Sequence, residues 1–314
     1  MKIVFFGTSE FAMPALRALS DSPHKILALV TQPDKKRGRS LNVEPPPTKV
    51  LAMTKGIPVF QPDNASSAES EGYLKGLGAD LFVVISFGQI LKKNILDIPR
   101  QYSINLHGSL LPRYRGAAPT NWAIINCDKS TGITIIMMNE GLDEGDIIST
   151  CQIAIDDDDT NITLSEKLAD KGAVLLLETI DKIEADKIIN PVKQDDLAVT
   201  YAPKLKKKDG LIDWSASSAN IRNKVRGLLP WPGAYTHYEG RILKILQAEQ
   251  AHSNISPKEA KYGQVLEITK GKGIIVRSGS GDIAITRLQL EGKKVLDSDS
   301  FVRGHRIPAG YMFR

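Results

Sequence analysis

Asp80-Leu81-Phe82-Val83-Val84-Ile85-Ser86 decides the fold. Five consecutive apolar residues bounded by polar ones give the strongest strand signal in the chain, and the run is too short to span a membrane. Outward from it, strand and helix signals alternate. A helix over 65–77 precedes it; residues 103–106 read as the next strand, followed by a loop and a helix near 120–126. Toward the beginning, 2–6 reads as a buried strand and Gly7-Thr8-Ser9 as a tight turn, with Ser9 placed to cap a helix over 10–21. A strand over 26–31, a helix over 48–55 and a short strand over 57–60 follow. This alternation predicts an α/β fold: a mostly parallel sheet with helices on both faces and ligands beyond the carboxyl ends of its strands.

The rhythm changes after residue 130. Segments 132–138 and 146–155 are β-rich and are joined by Asn139-Glu140-Gly141-Leu142-Asp143-Glu144-Gly145. The acidic run 156–159 reads as a solvated turn, and 164–187 as a long amphipathic helix. Periodicity fails over 190–208, where Pro191, Pro203 and Lys204-Leu205-Lys206-Lys207-Lys208 suggest a linker. Beyond it come a helix over 219–228 and five short strands, over 235–238, 242–248, 263–269, 273–277 and 283–290. A Glu239-Gly240 turn joins the first pair. Such spacing predicts a small C-terminal β-barrel of the oligonucleotide-binding type. The domain expectation is therefore 1–189, a linker 190–208, and 209–314.

The 314 residues suffice for two domains, and 42% hydrophobic with 25% charged residues excludes a disordered chain. Glu10 interrupts the apolar start too early for a secretory signal, so a cytoplasmic location is expected. Two cysteines, Cys127 and Cys151, exclude a disulfide framework. The net charge of +5 hides an asymmetry. Residues 1–189 carry twenty Lys and Arg against twenty-four Asp and Glu, whereas 190–314 carry twenty-one against twelve. A basic C-terminal third suits either contact with a polyanion or a solvated surface.

Gly7 alone stands where a dinucleotide fingerprint needs three glycines, so NAD binding is not expected. The most informative stretch is Asn105-Leu106-His107-Gly108-Ser109-Leu110-Leu111-Pro112, with Gly116 four residues on. Residues i and i+2 of a strand share a side, so Asn105 and His107 face one crevice. An amide donor beside an imidazole suits oxyanion stabilisation and proton handling, or a buried hydrogen-bonded pair. Asp143, in its Gly-bounded loop, is either a turn former or the carboxylate that orients His107. No His, Cys, Asp and Glu cluster has zinc spacing, and no metal is expected.

These segments resemble the 10-formyltetrahydrofolate-dependent formyltransferases. The likeness is carried by Asn105 to Pro112 with Gly116, by Gly141-Leu142-Asp143-Glu144-Gly145-Asp146, by Phe6-Gly7-Thr8 and by Ser86-Phe87-Gly88-Gln89-Ile90-Leu91. Further stretches resemble members that act on charged initiator tRNA: Thr31-Gln32-Pro33-Asp34 followed by Lys35-Lys36-Arg37-Gly38-Arg39, Pro58-Val59-Phe60-Gln61-Pro62, Tyr201-Ala202-Pro203-Lys204-Leu205 and Leu229-Pro230-Trp231-Pro232-Gly233-Ala234-Tyr235. Gly108 stands where Ala or Pro is often found, and Asn42-Val43-Glu44-Pro45 makes the loop less basic than in many relatives.

The resemblance implies a Rossmann-like catalytic domain and an OB-like C-terminal domain, acting as a monomer. It implies formyl transfer from 10-formyltetrahydrofolate to the amine of methionine esterified to initiator tRNA. Asn105, His107 and Asp143 would be catalytic. Ser109, Leu110, Leu111, Pro112, Phe87, Gln89, Ile90 and Leu91 would line the folate site, the 86–91 segment through its backbone. Lys35, Lys36, Arg37, Arg39, Lys204, Lys206, Lys207 and Lys208 would meet tRNA. The basic loop also suits a solvated charge run. Formyl transfer to glycinamide ribonucleotide or an amino sugar, formyl-folate hydrolysis, and RNA binding without catalysis remain the alternatives.

Overall fold

A computed structural model describes residues 1–37, 42–185, 190–253, 255 and 260–314. The chain divides into two compact units. One comprises Met1–Pro119, Ser130–Ala154 and Ser165–Ala202; the other comprises Thr120–Lys129, Ile155–Leu164 and Pro203–Arg314.

Leu81–Ile85 is buried along its whole length, with Lys2–Gly7 on one side and Tyr102–His107 on the other. A strand with no polar face is stable only when both faces of its sheet are covered, which is why helices intervene between the parallel strands. The seven-stranded sheet runs Ile147–Ala154, Ser130–Met137, Tyr102–His107, Leu81–Ile85, Lys2–Gly7, Lys25–Val30, Val59–Phe60. The last five are parallel, and the first two add antiparallel. On one face Phe6 packs on Phe82 and Phe87, with ring centroids 5.1 and 5.4 Å away. On Asn161–Glu184, Gly172 gives the close approach to the sheet, because a Cβ there would lie 3.1 Å from the Leu106 side chain. Local signals set the helix ends: Ser67 Oγ accepts from Ser70 N at the start of Ala68–Leu77, and Gly78 ends it at φ +61°.

Three sequence expectations change here. Ser9 makes no side-chain cap bond, and its helix opens with a 3-10 turn over Glu10–Ala12 before Met13–Ser20. The acidic run is not wholly solvated: Asp159 is buried, accepting from Asp156 N and Thr163 Oγ1. Nor do residues 190–202 behave as a linker. Val192 and Ile147 exchange backbone hydrogen bonds of 2.8 Å, and Tyr201–Ala202 pairs in parallel with Arg115–Gly116. The last crossing between the two units falls at 202/203, within the 190–208 stretch expected as a linker. The failed periodicity marks a strap whose backbone bonds to loops instead of to a regular element.

The second unit is built on an antiparallel sheet in the order Ala234–Tyr238, Arg241–Ala251, Asp282–Leu290, Gly273–Arg277, Val265–Thr269, with Leu296–Asp297 paired to Asp282–Leu290. Glu239 and Gly240 both adopt positive φ, +50° and +75°, as the two-residue hairpin turn requires. Irregular pairing around Gln247 curves the long second strand. Its core gathers Tyr238, Leu243, Val276, Ile285 and Phe301. The end strands of the sheet are joined through the final residues. Val265 N donates to Tyr311 O and Phe313 N to Gly263 O on one side, while His237 N donates to Arg314 O on the other. The barrel-like closure thus uses the tail as an extra segment. Among the described residues no helix is long and apolar enough to cross a membrane.

Candidate active site

Three neighbouring parallel strands, Lys2–Gly7, Leu81–Ile85 and Tyr102–His107, end side by side, with Gly7 level with Ile85 and Val84 level with Asn105. Their loops gather at the carboxyl edge, where α/β sheets hold ligands. Thr8 Oγ1 donates to Phe87 O at 2.8 Å, tying the first loop to the second.

Asn105 and His107 lie two residues apart on one strand and so share a side. His107 is buried, and its Nε2 lies 2.9 Å from Tyr114 O. A carbonyl only accepts, so Nε2 carries a proton and donates. The other ring nitrogen, Nδ1, lies 3.6 Å from Asp143 Oδ2. Asn105 is half-buried, and its amide has no hydrogen bond among the described residues. Asp143 Oδ2 also accepts from Gly116 N at 2.8 Å. Gly116 has φ +124°, and a Cβ there would come within 2.7 Å of Ala202 O, so this turn admits only glycine. Asp143 itself sits at φ +53° and Tyr114 at +62°, a left-handed conformation that Asp tolerates and that a bulky residue such as Tyr keeps only where its surroundings hold it. An unused amide, a ring nitrogen and a carboxylate in this arrangement can stabilise a developing oxyanion and move a proton.

The residues expected around folate divide. Phe87 and Leu91 belong to the apolar core, so their side chains are not free for a ligand. Ser109 is fully buried, donating to Arg113 O at 2.6 Å. Gln89 holds its loop in place by accepting from Ala65 N and donating to Pro62 O. Leu111 is also buried, whereas Leu110 and Pro112 are half-buried and Ile90 is 80% exposed. The backbone of the 86–91 loop is bent by Ser86 at φ +49° and Gly88 at +87°, and Ile90 projects from it into solvent.

Among the expected tRNA-facing residues of the first unit, Lys35 is exposed. Lys35–Arg37 forms a short strand paired with Asn42–Glu44, a hairpin where a loop was expected; Arg39 lies outside the described residues. Lys35 Nζ donates to Gln32 Oε1 at 3.3 Å. Just before this hairpin, hydrogen bonds from Gln61 and then Lys49 hold the Asp34 carboxyl below its ordinary range. In the second unit Lys204, Lys206, Lys207 and Lys208 stand in solvent, the last two in the 3-10 turn Lys207–Gly210.

Sequence reasoning missed the residues that brace the site. Thr134, fully buried, donates to Ser109 O at 2.7 Å and accepts from Leu111 N at 3.0 Å. Its only signal was a polar residue inside the apolar run Ile133-Thr134-Ile135. Thr200 accepts from Tyr114 N through its hydroxyl, and its carbonyl accepts from Arg115 N.

Among the described residues His24, Asp181 and Glu184 form a cluster with metal-type donors. Glu184 there accepts from the Met1 ammonium at 2.6 Å, and the cluster lies at the amino end of the sheet, opposite the site.

Comparison with known proteins bears on both halves of the chain. Residues 1–180 match the family described as formyl transferase, and residues 204–306 match the formyl transferase C-terminal domain. The chain is 46% identical over 310 residues to the methionyl-tRNA formyltransferase of Citrifermentans bemidjiense, covering 99% of this chain and 95% of that protein. It is 45% identical over 316 residues to the methionyl-tRNA formyltransferase of Caldanaerobacter subterraneus subsp. tengcongensis, covering 100% of both. An N-formyltransferase of Helicobacter canadensis, solved with folinic acid and dTDP-3-aminofucose, shares the fold. Its TM-score is 0.67 at 20% identity, with 90% of this chain and 98% of that one covered.

Proposed function

The chain belongs to the formyl transferase family, and on that premise we propose that it transfers the formyl group of 10-formyltetrahydrofolate to the α-amine of initiator methionyl-tRNA. The reading is supported most by one observation: His107 Nδ1 and Asp143 Oδ2 approach to 3.6 Å on the side of the strand that also carries the unpartnered Asn105 amide.

The reaction is acyl transfer to an amine that is already a nucleophile. No serine or cysteine intermediate is needed. The chain has to orient two substrates and stabilise the charge that develops on the formyl oxygen. Asn105 donates its amide hydrogen to that oxygen. His107 is held by Tyr114 O through Nε2, so its substrate-facing atom is Nδ1. Asp143 steadies Nδ1 and takes up the proton the amine loses, and that proton passes to N10 of the folate as the N10–formyl bond breaks. Gly116 N fixes one carboxylate oxygen for this task. The 86–91 backbone, Ile90, Leu110 and Pro112 contact the folate, and the exposed basic residues contact tRNA phosphates.

The test offers 10-formyltetrahydrofolate with charged initiator methionyl-tRNA, charged elongator methionyl-tRNA or glycinamide ribonucleotide. Formylation of the first alone is the expected result. Transfer to the ribonucleotide, or formate release without transfer, would overturn the proposal.

A further inference from the structure

Gln194 lies in the segment that the sequence reads as a linker, yet it is 4% exposed. Its Nε2 donates to Asp143 O at 2.8 Å and to Gly145 O at 2.7 Å. Its Oε1 accepts from Arg115 Nε at 3.0 Å. Both amide hydrogens and the amide oxygen are therefore used, and the side chain has one workable orientation, since a flipped amide would turn its oxygen toward two carbonyls. The strap is anchored on both sides of Gln194, at Val192 by its bridge to Ile147 and at Thr200 to Ala202 by their bonds to residues 112–118.

We propose that Gln194 is a positioning residue for formyl transfer, fixing the backbone of the Asp143 loop and through it the carboxylate beside His107. The inference rests on the proposed place of Asp143 in the site. Asp143 is held at two points. Gly116 N fixes its carboxylate, and Gln194 fixes its own carbonyl and that of Gly145. Asp143, at φ +53°, lies between these two points of attachment. Arg115 completes the brace. Its guanidinium is buried, and the nearest carboxylates, Glu144 and Asp196, are 4.0 Å away, so the Gln194 oxygen is its short contact. The backbone of Arg115 leads directly into Gly116, so the same contact steadies both points that hold Asp143.

The decisive variant is Gln194→Glu. It keeps the size and offers Arg115 a charge, but sets an oxygen without a proton against two carbonyls. If the residue only filled space or partnered Arg115, the change would be harmless. Misplacing a reacting group by about 1 Å costs on the order of 10²-fold in rate. We expect kcat to fall by about that factor while KM for both substrates moves by less than about threefold. The second variant, Gln194→Met, removes the polar contacts at similar volume and is read the same way where Gln194→Glu does not fold, with melting temperature and circular dichroism measured for each. In an Asp143→Ala background neither change should lower kcat further, because residues acting as one unit are not additive. Unchanged kcat in a folded Gln194→Glu or Gln194→Met variant, or an undiminished loss in the Asp143→Ala background, would overturn the inference. Full turnover in Asp143→Ala alone would instead remove the underlying site assignment.

Discussion

Around the proposed site, His107, Ser109, Thr134 and Gln194 are buried and hydrogen-bonded. In the second unit Lys204, Lys206, Lys207 and Lys208 are exposed, with no ion-pair partner among the described residues. Both sets are polar, but they are held differently. A braced group is fixed in direction and acts through geometry over a fraction of an ångström. An unbraced lysine is a charge on a flexible stem and acts through a field that salt screens. The first arrangement suits chemistry on one atom, and the second suits a phosphate backbone that presents many equivalent oxygens.

If that distinction is right, substitutions in the two regions should fail in different kinetic parameters. The largest effect belongs to the site. Asn105→Ala, His107→Ala and Asp143→Ala should each lower turnover by at least ~10² while remaining folded, the usual loss for a positioned acid–base group. Any one of them with near-normal kcat leaves the site without that member.

Bracing residues should show their effect in stability as well. Thr134→Val keeps the shape but strands Ser109 O and Leu111 N in a buried place. Each unsatisfied group costs about 1–3 kcal/mol, so the melting temperature should drop measurably. A variant as stable as the parent would mean the 108–116 loop does not depend on this hydroxyl.

For the basic region the expectation is weaker binding without slower chemistry. Replacing Lys204, Lys206, Lys207 and Lys208 together by Ala should raise KM for charged tRNA and flatten its dependence on salt. The log–log slope should shrink by up to ~0.9 for each phosphate of a duplex stem that a lysine no longer neutralises. KM for the folate and kcat should stay put. Arg39→Ala should likewise raise KM for tRNA far more than for folate; equal shifts in both would end the distinction for that loop.

The smallest effect concerns Asp34. Its carboxyl is depressed by Gln61 and Lys49, so whatever the pairing contributes is present above the ordinary carboxylate value and disappears only as pH falls through the lowered one. A titration of Asp34 followed by NMR should have its midpoint below the usual range, and a midpoint within that range would show the hairpin base to be untied.

Much of this was readable from residue order alone. The unbroken apolar run 81–85 required a doubly covered sheet, and the i, i+2 spacing of Asn105 and His107 required a shared side. What escaped was action at long separation. Gln194 reaches Asp143 across 51 positions through a segment with no periodicity, and pattern reading has nothing to grip there. Phe87 and Leu91 show a complementary case: their side chains pack into the core while their backbone stays in the loop. An apolar residue in a loop beside a ligand edge looks the same in sequence whether it faces the ligand or the core, and here Phe6 and its neighbours claim both. The final residues 311–314 carry no alternation to announce that they join the two ends of a sheet.

The most direct measurement is a crystal structure of the chain with an unreactive formyl-folate analogue. The account requires the formyl oxygen to lie about 3 Å from both Asn105 Nδ2 and His107 Nδ1, the distance at which a donor stabilises an oxyanion. A well-ordered analogue whose formyl oxygen meets neither atom would contradict it.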